Sequence, residues 1–398
     1  MTMDGGGGGS ATLMSVEFER FDVEIFLREY WQKKPLLIRN PWNSWSNPLE
    51  PDELAGLACE SGVESRLIVQ SQASWDMEQG PVAPTRFGKL GAKPWTLLVQ
   101  AVDHHVPAVA ALMEPFRFIP NWRMDDVMVS YAVDQGGVGP HFDQYDVFLV
   151  QGLGKRRWQI GELCDETTEL LQHDDLRLLA RFDPIEDWIL EPGDILYVPP
   201  RWAHNGIAVG SDCMTYSIGF RAPSREELIV NWSECVLEGL DADDRYTDPG
   251  LPAQDNPGDI SAAAIARLHA LAIERLLDHD AFARWFGRYS TTPKYPEIDW
   301  QPEQPIGLDE LRDILAKGVQ LLRNPAIRFS FIEQDTSSLL LFANGQSFPC
   351  EGSTASFAKM LCSQSCFSAG PEIAASEPTL ELLAELFNEG WVAFDEDD

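Results

Sequence analysis

Between residues 126 and 220, apolar and polar positions alternate in short runs, whereas between 224 and 290 apolar residues recur every three or four positions. The first spacing is the period of a β-strand and the second that of a helix. Strands are expected over 127–133, 145–151, 156–160, 195–198 and 214–220, all rich in Val, Ile, Phe, Tyr and Trp. Asp134-Gln135-Gly136-Gly137, Gly152-Leu153-Gly154 and Glu191-Pro192-Gly193-Asp194 read as the turns between them. Many short strands with Gly and Pro turns imply a sandwich or barrel, with the jelly roll prominent among the options. Upstream, helices are expected over 23–30, 51–59 and 97–112, and short strands over 36–38 and 66–70.

Helices are expected over 224–240, 261–277 and 280–289, the first opening with Ser224 and two glutamates. Ile265, Leu268, Leu271, Ile273 and Leu276 form an apolar stripe that is either internal core or a dimer seam. Pro293, Pro296, Pro302 and Pro305 mark an extended linker. Beyond it come a helix over 308–316, two strands around an Asn344-Gly345 turn, two more helices and a short strand over 391–394. That order suggests a winged-helix-like unit. The expected division is an α+β chain: a flexible tail (1–16), a barrel domain (17–222), a helical domain (223–290), a linker (291–307) and the winged-helix-like domain (308–398).

The length of 398 residues fits two or three domains, and the composition, 44 % hydrophobic and 23 % charged, is globular. No run approaches the ~20 apolar residues of a membrane span, so no membrane partner is expected. The start, MTMDGGGGGSATLM, has neither the basic nor the apolar segment of a secretory signal. Thirty Lys+Arg against 63 Asp+Glu leave a net charge of −33, which repels phosphates and attracts basic partners. Residues 308–398 carry five basic and fifteen acidic side chains, so the winged-helix-like unit is not expected to bind DNA directly. Seven scattered cysteines form no disulfide framework and fit a reducing cytoplasm. Cys362 and Cys366 lack a second pair or a nearby His for zinc, and read as small apolar residues.

The chemistry concentrates in Gly136–Asp146. His141 and Asp143 are two residues apart, so on a strand both side chains share a face and can take adjacent positions on one metal. A second histidine would complete a two-histidine, one-carboxylate triad with open positions on iron(II). His204 suits that role, since it follows the strand 195–198 and a Pro199-Pro200 turn, sixty-three residues beyond His141. The others suit it less: His173 lies in a charged helix-like loop, His269 and His279 in the helical region, and His104 and His105 ahead of the barrel. A zinc or manganese cupin isomerase can use the same ligand spacing.

Arg156 alternates with Trp158 and Ile160, so it should point into the barrel while Lys155, Arg157 and Gln159 face solvent. A buried guanidinium requires an anion. A fixed dicarboxylate would satisfy it with paired hydrogen bonds, and a nearby Asp at the barrel mouth is the other candidate. Ser130 could donate a hydroxyl to the same carboxylate.

The segments Gly139–Phe148, Lys155–Trp158 and Glu191–Pro200 resemble the JmjC-type, cupin-like ribosomal oxygenases. The resemblance covers about residues 21–220 and, more loosely, the helical and winged-helix-like parts. It implies a double-stranded β-helix barrel, iron(II), 2-oxoglutarate and O₂ as cosubstrates, and a homodimer made through the central helices. It implies hydroxylation of an arginine side chain of large-subunit ribosomal protein number sixteen, a basic ribosomal substrate, in the cytoplasm. His141, Asp143 and His204 then match the iron ligands at the catalytic centre, Arg156 the 2-oxoglutarate anchor, and Ser130 a further cosubstrate contact. Asp134, Asp143 or Asp146 near the barrel mouth could steer the arginine. The sequence departs from the family pattern at Asn205, where an acidic residue is expected, and by one residue inserted before Met214. Other readings are the same chemistry on a ribosomal histidine, an asparagine or a methyl-lysine, and a ribosome-associated adaptor with a vestigial barrel. An adaptor would not need the triad or Arg156.

Overall fold

A computed structural model describes residues 17–71, 74–91 and 93–395; the expected tail, 1–16, lies outside them. Its largest element is a nine-stranded sheet of β1 (Leu36–Ile38), β2 (Ser65–Ser71), β3 (Ser74–Gln79), β4 (Trp95–Val99), β5 (Met124–Ala132), β6 (Asp146–Leu163), β7 (Glu186–Leu190), β8 (Ile195–Val198) and β9 (Trp202–Phe220). The order is β1-β8-β6-β9-β5-β4-β2-β3, with β7 added to β6. The long strands β6 and β9 run antiparallel, so that Asp146 lies opposite Phe220 and Ile160 opposite His204. Alternate residues serve two buried faces: Phe148, Val150, Tyr197, Tyr216 and Ile218 enter the main core, and Val147, Leu149, Trp158, Ile160 and Leu196 a second cluster. This is the double-stranded β-helix, jelly-roll architecture.

Several expectations fail for identifiable reasons. Gly152-Leu153-Gly154 is not a turn but an irregularity within continuous β6, where the register with β9 shifts. Gly154 has φ +62°, and a Cβ on it would lie 2.5 Å from the Asp212 carbonyl oxygen. Residues 97–112 are not one helix: Trp95–Val99 is strand β4, paired with both β2 and β5, and short helical turns follow. The run Thr96-Leu97-Leu98-Val99 has strong β preference, and pairing on both sides overrides its weak helical periodicity. The loop around His173 is not helical; its Nδ1 accepts the backbone N–H groups of Asp175 and Leu176.

The helices Arg225–Glu238, Ala262–Ile273 and His279–Thr291 follow, each opened by an Ser or Asp cap: Ser224, Ser261 and Asp278. Ala262–Ile273 contains no buried residue; Ile265 is 55 % and Leu268 46 % exposed, so the stripe is not internal core of this chain. The following segment returns to the barrel, with Lys294 donating to Asp126 at 2.6 Å and the Tyr295 hydroxyl to Glu64 at 3.1 Å.

The C-terminal part is a winged-helix unit with its own core around Leu311, Leu341, Phe357, Leu383 and Trp391. It holds two three-stranded sheets. One is a meander of β11 (Phe329–Glu333), β12 (Ser338–Ala343) and β13 (Gln346–Glu351); Asn344 and Gly345, both at positive φ, make the β12–β13 turn. The other contains β10 (Val319–Arg323), β14 (Cys366–Ala369) and β15 (Val392–Phe394). Strands β10, β11 and β14, like β3 and β7 in the barrel, were not expected from sequence, being short or polar at alternate positions. Among the described residues no helix is long and apolar enough to cross a membrane.

Candidate metal centre

The Gly-rich segment before His141 runs close beside β9. A Cβ on Gly137 would fall 2.4 Å from the Gly206 carbonyl oxygen, and Gly139 takes φ +99°. His141 and His204 then bridge as an isolated antiparallel pair, each N–H donating to the other's carbonyl. Their ring centroids are 4.3 Å apart. Asp143 Oδ2 approaches His204 Nε2 to 3.6 Å, and one ligand atom from each of the three residues lies within 4.8 Å of the others. Among the described residues this is the one group of three or more His, Cys, Asp or Glu that could hold a metal ion.

The protonation pattern suits a metal. His141 Nδ1 is 2.8 Å from the Gly139 carbonyl and His204 Nδ1 is 2.9 Å from the Trp202 carbonyl. Each Nδ1–H donates to its carbonyl, which leaves the Nε2 lone pair for a cation. Burial, with His141 close by, lowers the His204 pKa to about 4 against the pull of Asp143. The other histidines are elsewhere: His104 is buried beside Asp103, with a pKa lowered to about 3 mainly by burial, and His279 is exposed.

Arg156 is 4 % exposed on the same face as Trp158 and Ile160, while Arg157 and Lys155 pair outside with Asp187 and Glu191. Its Nη1 donates to Ser130 Oγ at 3.3 Å and its Nε to Cys213 Sγ at 3.3 Å. No carboxylate among the described residues pairs with it, which removes the local Asp as its anion. Its Nη2 is buried with no acceptor, as is Trp158 Nε1. The Trp158 ring lies between the two sites, 5.7 Å from the guanidinium and 5.9 Å from the His204 ring.

Of the three carboxylates considered for the barrel mouth, only Asp143 belongs to this site. Asp146 is fully buried and accepts from Tyr197, Gln32 and Arg123. Asp134 binds the Gly210 N–H. Asn205 donates to Gln159, whose neighbours Trp158 and Ile160 point inward, so Asn205, paired opposite Gln159, projects away from the metal ligands. Residues not foreseen from sequence extend from Arg156 in a buried chain: its acceptor Cys213, then Gln151 and Thr215. Cys213 and Thr215 share the strand face opposite Met214 and Tyr216, which face the main core; Cys213 lies just ahead of the expected strand 214–220.

Residues 111–228 match the JmjC domain family and residues 274–393 the ROXA-like winged helix. The ribosomal protein uL16 3-hydroxylase of Escherichia coli is 40 % identical over 321 residues, 81 % of this chain and 84 % of that protein. A probable ribosomal oxygenase of Haemophilus influenzae is 36 % identical over 84 % of both chains. The solved structure of the Escherichia coli ribosomal oxygenase YcfD with cobalt and 2-oxoglutarate superposes with a TM-score of 0.83 at 36 % identity, covering 96 % of this chain and 99 % of that one.

Proposed function

The chain belongs to the JmjC-type ribosomal oxygenases, and we propose that it is an iron(II)- and 2-oxoglutarate-dependent hydroxylase of an arginine side chain of large-subunit ribosomal protein number sixteen. The observation that carries this reading is the buried Arg156 guanidinium with no carboxylate of its own, on the barrel face that leads to His204. A free dicarboxylate ligand supplies the missing anion, and the His-Asp-His donors suit iron(II).

His141, Asp143 and His204 would hold the metal through two Nε2 atoms and one carboxylate, on one side of the ion. Arg156, helped by Ser130, would bind the far carboxylate of 2-oxoglutarate, so that the 2-oxo acid end reaches the metal. When bound, iron(II) and 2-oxoglutarate would supply the electrons that activate O₂, the oxidant: one oxygen atom enters succinate as 2-oxoglutarate loses CO₂, and the other enters a nearby C–H as a hydroxyl. The two backbone carbonyls fix the imidazoles, and the second apolar cluster, with Trp158 and Ile160, keeps water from the barrel interior. The target C–H is selected by how the substrate docks beside the open side of the metal.

The acidic surface favours delivery of a basic ribosomal protein, and a cytoplasmic location is read from that substrate. The exposed stripe Ile265, Leu268 and Leu276 is read as the seam of a homodimer. The winged-helix unit, acidic overall, is read as a protein-contacting part rather than a DNA reader. The decisive experiment incubates the protein with iron(II), 2-oxoglutarate and purified large-subunit proteins and looks by mass spectrometry for a one-oxygen gain on an arginine peptide of protein number sixteen. A gain on another residue or protein would move the substrate assignment, and no gain on any of them would overturn the reading.

A further inference from the structure

The shell around Arg156 contains an acceptor that neither the motif nor the barrel pattern explains. Cys213 is fully buried, and its Sγ accepts from Arg156 Nε at 3.3 Å and from Gln151 Nε2 at 3.5 Å. Gln151 is itself fixed: it donates to the Leu153 carbonyl at 2.8 Å and accepts from the Thr215 hydroxyl at 3.0 Å. The sulfur therefore sits at the end of a buried chain of hydrogen bonds that ends on the guanidinium.

Its position comes from a local break in strand pairing. Val209 pairs with Lys155 and Met214 with Leu153, so residues 210–213 of β9 face Gly154 alone on β6. Gly210 and Asp212 take positive φ, and the Tyr131 hydroxyl fastens the excursion by donating to Asp212 at 2.8 Å. The chain re-enters the sheet with Cys213 opposite Ala132, in a small cluster with Ala132 and Ala208.

We infer that Cys213 is a positioning residue for cosubstrate binding: its Sγ takes the Arg156 Nε–H and turns the Nη1/Nη2 edge of the guanidinium toward the far carboxylate of a bound 2-oxo dicarboxylate. A guanidinium offers five N–H groups in a rigid plane. Sγ occupies the Nε–H and Ser130 one N–H of Nη1, while Nη2, buried and without an acceptor, is left for the ligand. A two-pronged bond to a carboxylate depends on the orientation of that plane, so losing the Nε acceptor frees the plane to rotate. The plainer role for Cys213 is filling space between two alanines, which an alanine would do nearly as well.

This inference rests on the cosubstrate reading above, and its test separates the two. The full chain is loaded with manganese(II), and 2-oxoglutarate binding is measured by calorimetry for wild type, Cys213→Ala, Cys213→Ser and Arg156→Met. Cys213→Ala is expected to weaken 2-oxoglutarate about tenfold, the scale of one acceptor lost from a charged donor. Manganese affinity should stay within twofold, which also reports an intact barrel. Cys213→Ser, whose hydroxyl can accept the same N–H, should recover binding to within about threefold. In turnover, Cys213→Ala should raise KM for 2-oxoglutarate with kcat at saturation unchanged. Wild-type affinity in Cys213→Ala, or equal losses in the Ala and Ser variants, overturns the positioning role. Wild-type affinity in Arg156→Met overturns the cosubstrate reading itself, whatever Cys213 does.

Discussion

His141 and His204, sixty-three residues apart in sequence, face each other as a hydrogen-bonded backbone pair, with N···O distances of 3.0 and 2.8 Å. Because the backbones are locked together, the two imidazoles start from neighbouring positions and stay 4.3 Å apart between centroids. Each ring is held by a backbone carbonyl two residues earlier, not by another side chain. The geometry of the centre is thus set by strand pairing, and single side-chain changes should remove a ligand without moving the other two.

The first expected outcome follows directly. His141→Ala and Asp143→Ala should each abolish 2-oxoglutarate turnover and weaken metal binding at least a hundredfold, with circular dichroism and melting behaviour close to wild type. Each removes one of three ligands from an open site. Succinate production at the wild-type rate by both variants would contradict the metal assignment.

Arg156→Met keeps much of the side-chain volume but removes the charge and the donor fork. The apparent affinity for 2-oxoglutarate should fall by about 2–4 kcal/mol, the range for a lost charge-assisted pair in a buried site. Lys155→Met and Arg157→Met should do far less, because these side chains pair with Glu191 and Asp187 on the outer surface. Titration calorimetry on all three distinguishes the two faces of β6.

The exposed stripe makes a prediction about assembly. Ile265→Glu combined with Leu268→Glu should convert a dimer to monomers in sedimentation at micromolar concentration, with the fold of the monomer retained, since the helix Ala262–Ile273 buries no residue within its own chain. A wild-type protein that already sediments as a monomer at that concentration would remove the seam.

A pH prediction comes from Asp103, whose pKa is pushed up to about 8 by burial and by Asp126. Its folded-state pKa exceeds the unfolded value near 3.8, so the folded state binds more protons between these values and stability falls as pH rises through that window. His104, lowered to about 3 by burial, acts oppositely, but only up to its unfolded pKa near 6.5. Between pH 6.5 and 8 Asp103 dominates the pair. Urea unfolding should show wild type losing on the order of 1 kcal/mol across that interval. Asp103→Asn, which keeps an oxygen for the Val127 N–H, should lose less. An equal or steeper loss in the variant would rule out Asp103 as the source.

What the sequence determined by itself was chemistry carried on short range. The two-residue spacing of His141 and Asp143 marked a ligand pair, although no strand spans 141–143, where His141 is only bridged to His204. Strict alternation along β6 was enough to send Arg156 inward and Arg157 outward, because a strand's side-chain period is set by its own backbone. The winged helix was legible for the same reason at the Asn344-Gly345 turn, where the local conformation demands positive φ. Tertiary structure decided whatever depended on partners far away in the chain. Residues 95–99 became a strand because β2 and β5 lie on either side, although the apolar spacing there also permits a helix. Gly152–Gly154 stayed within β6 because β9 offers a partner on both sides of the irregularity. Cys213 reached Arg156 only because β9 leaves register for residues 210–213, and the side chain that a bulge delivers depends on where pairing resumes on the opposite strand.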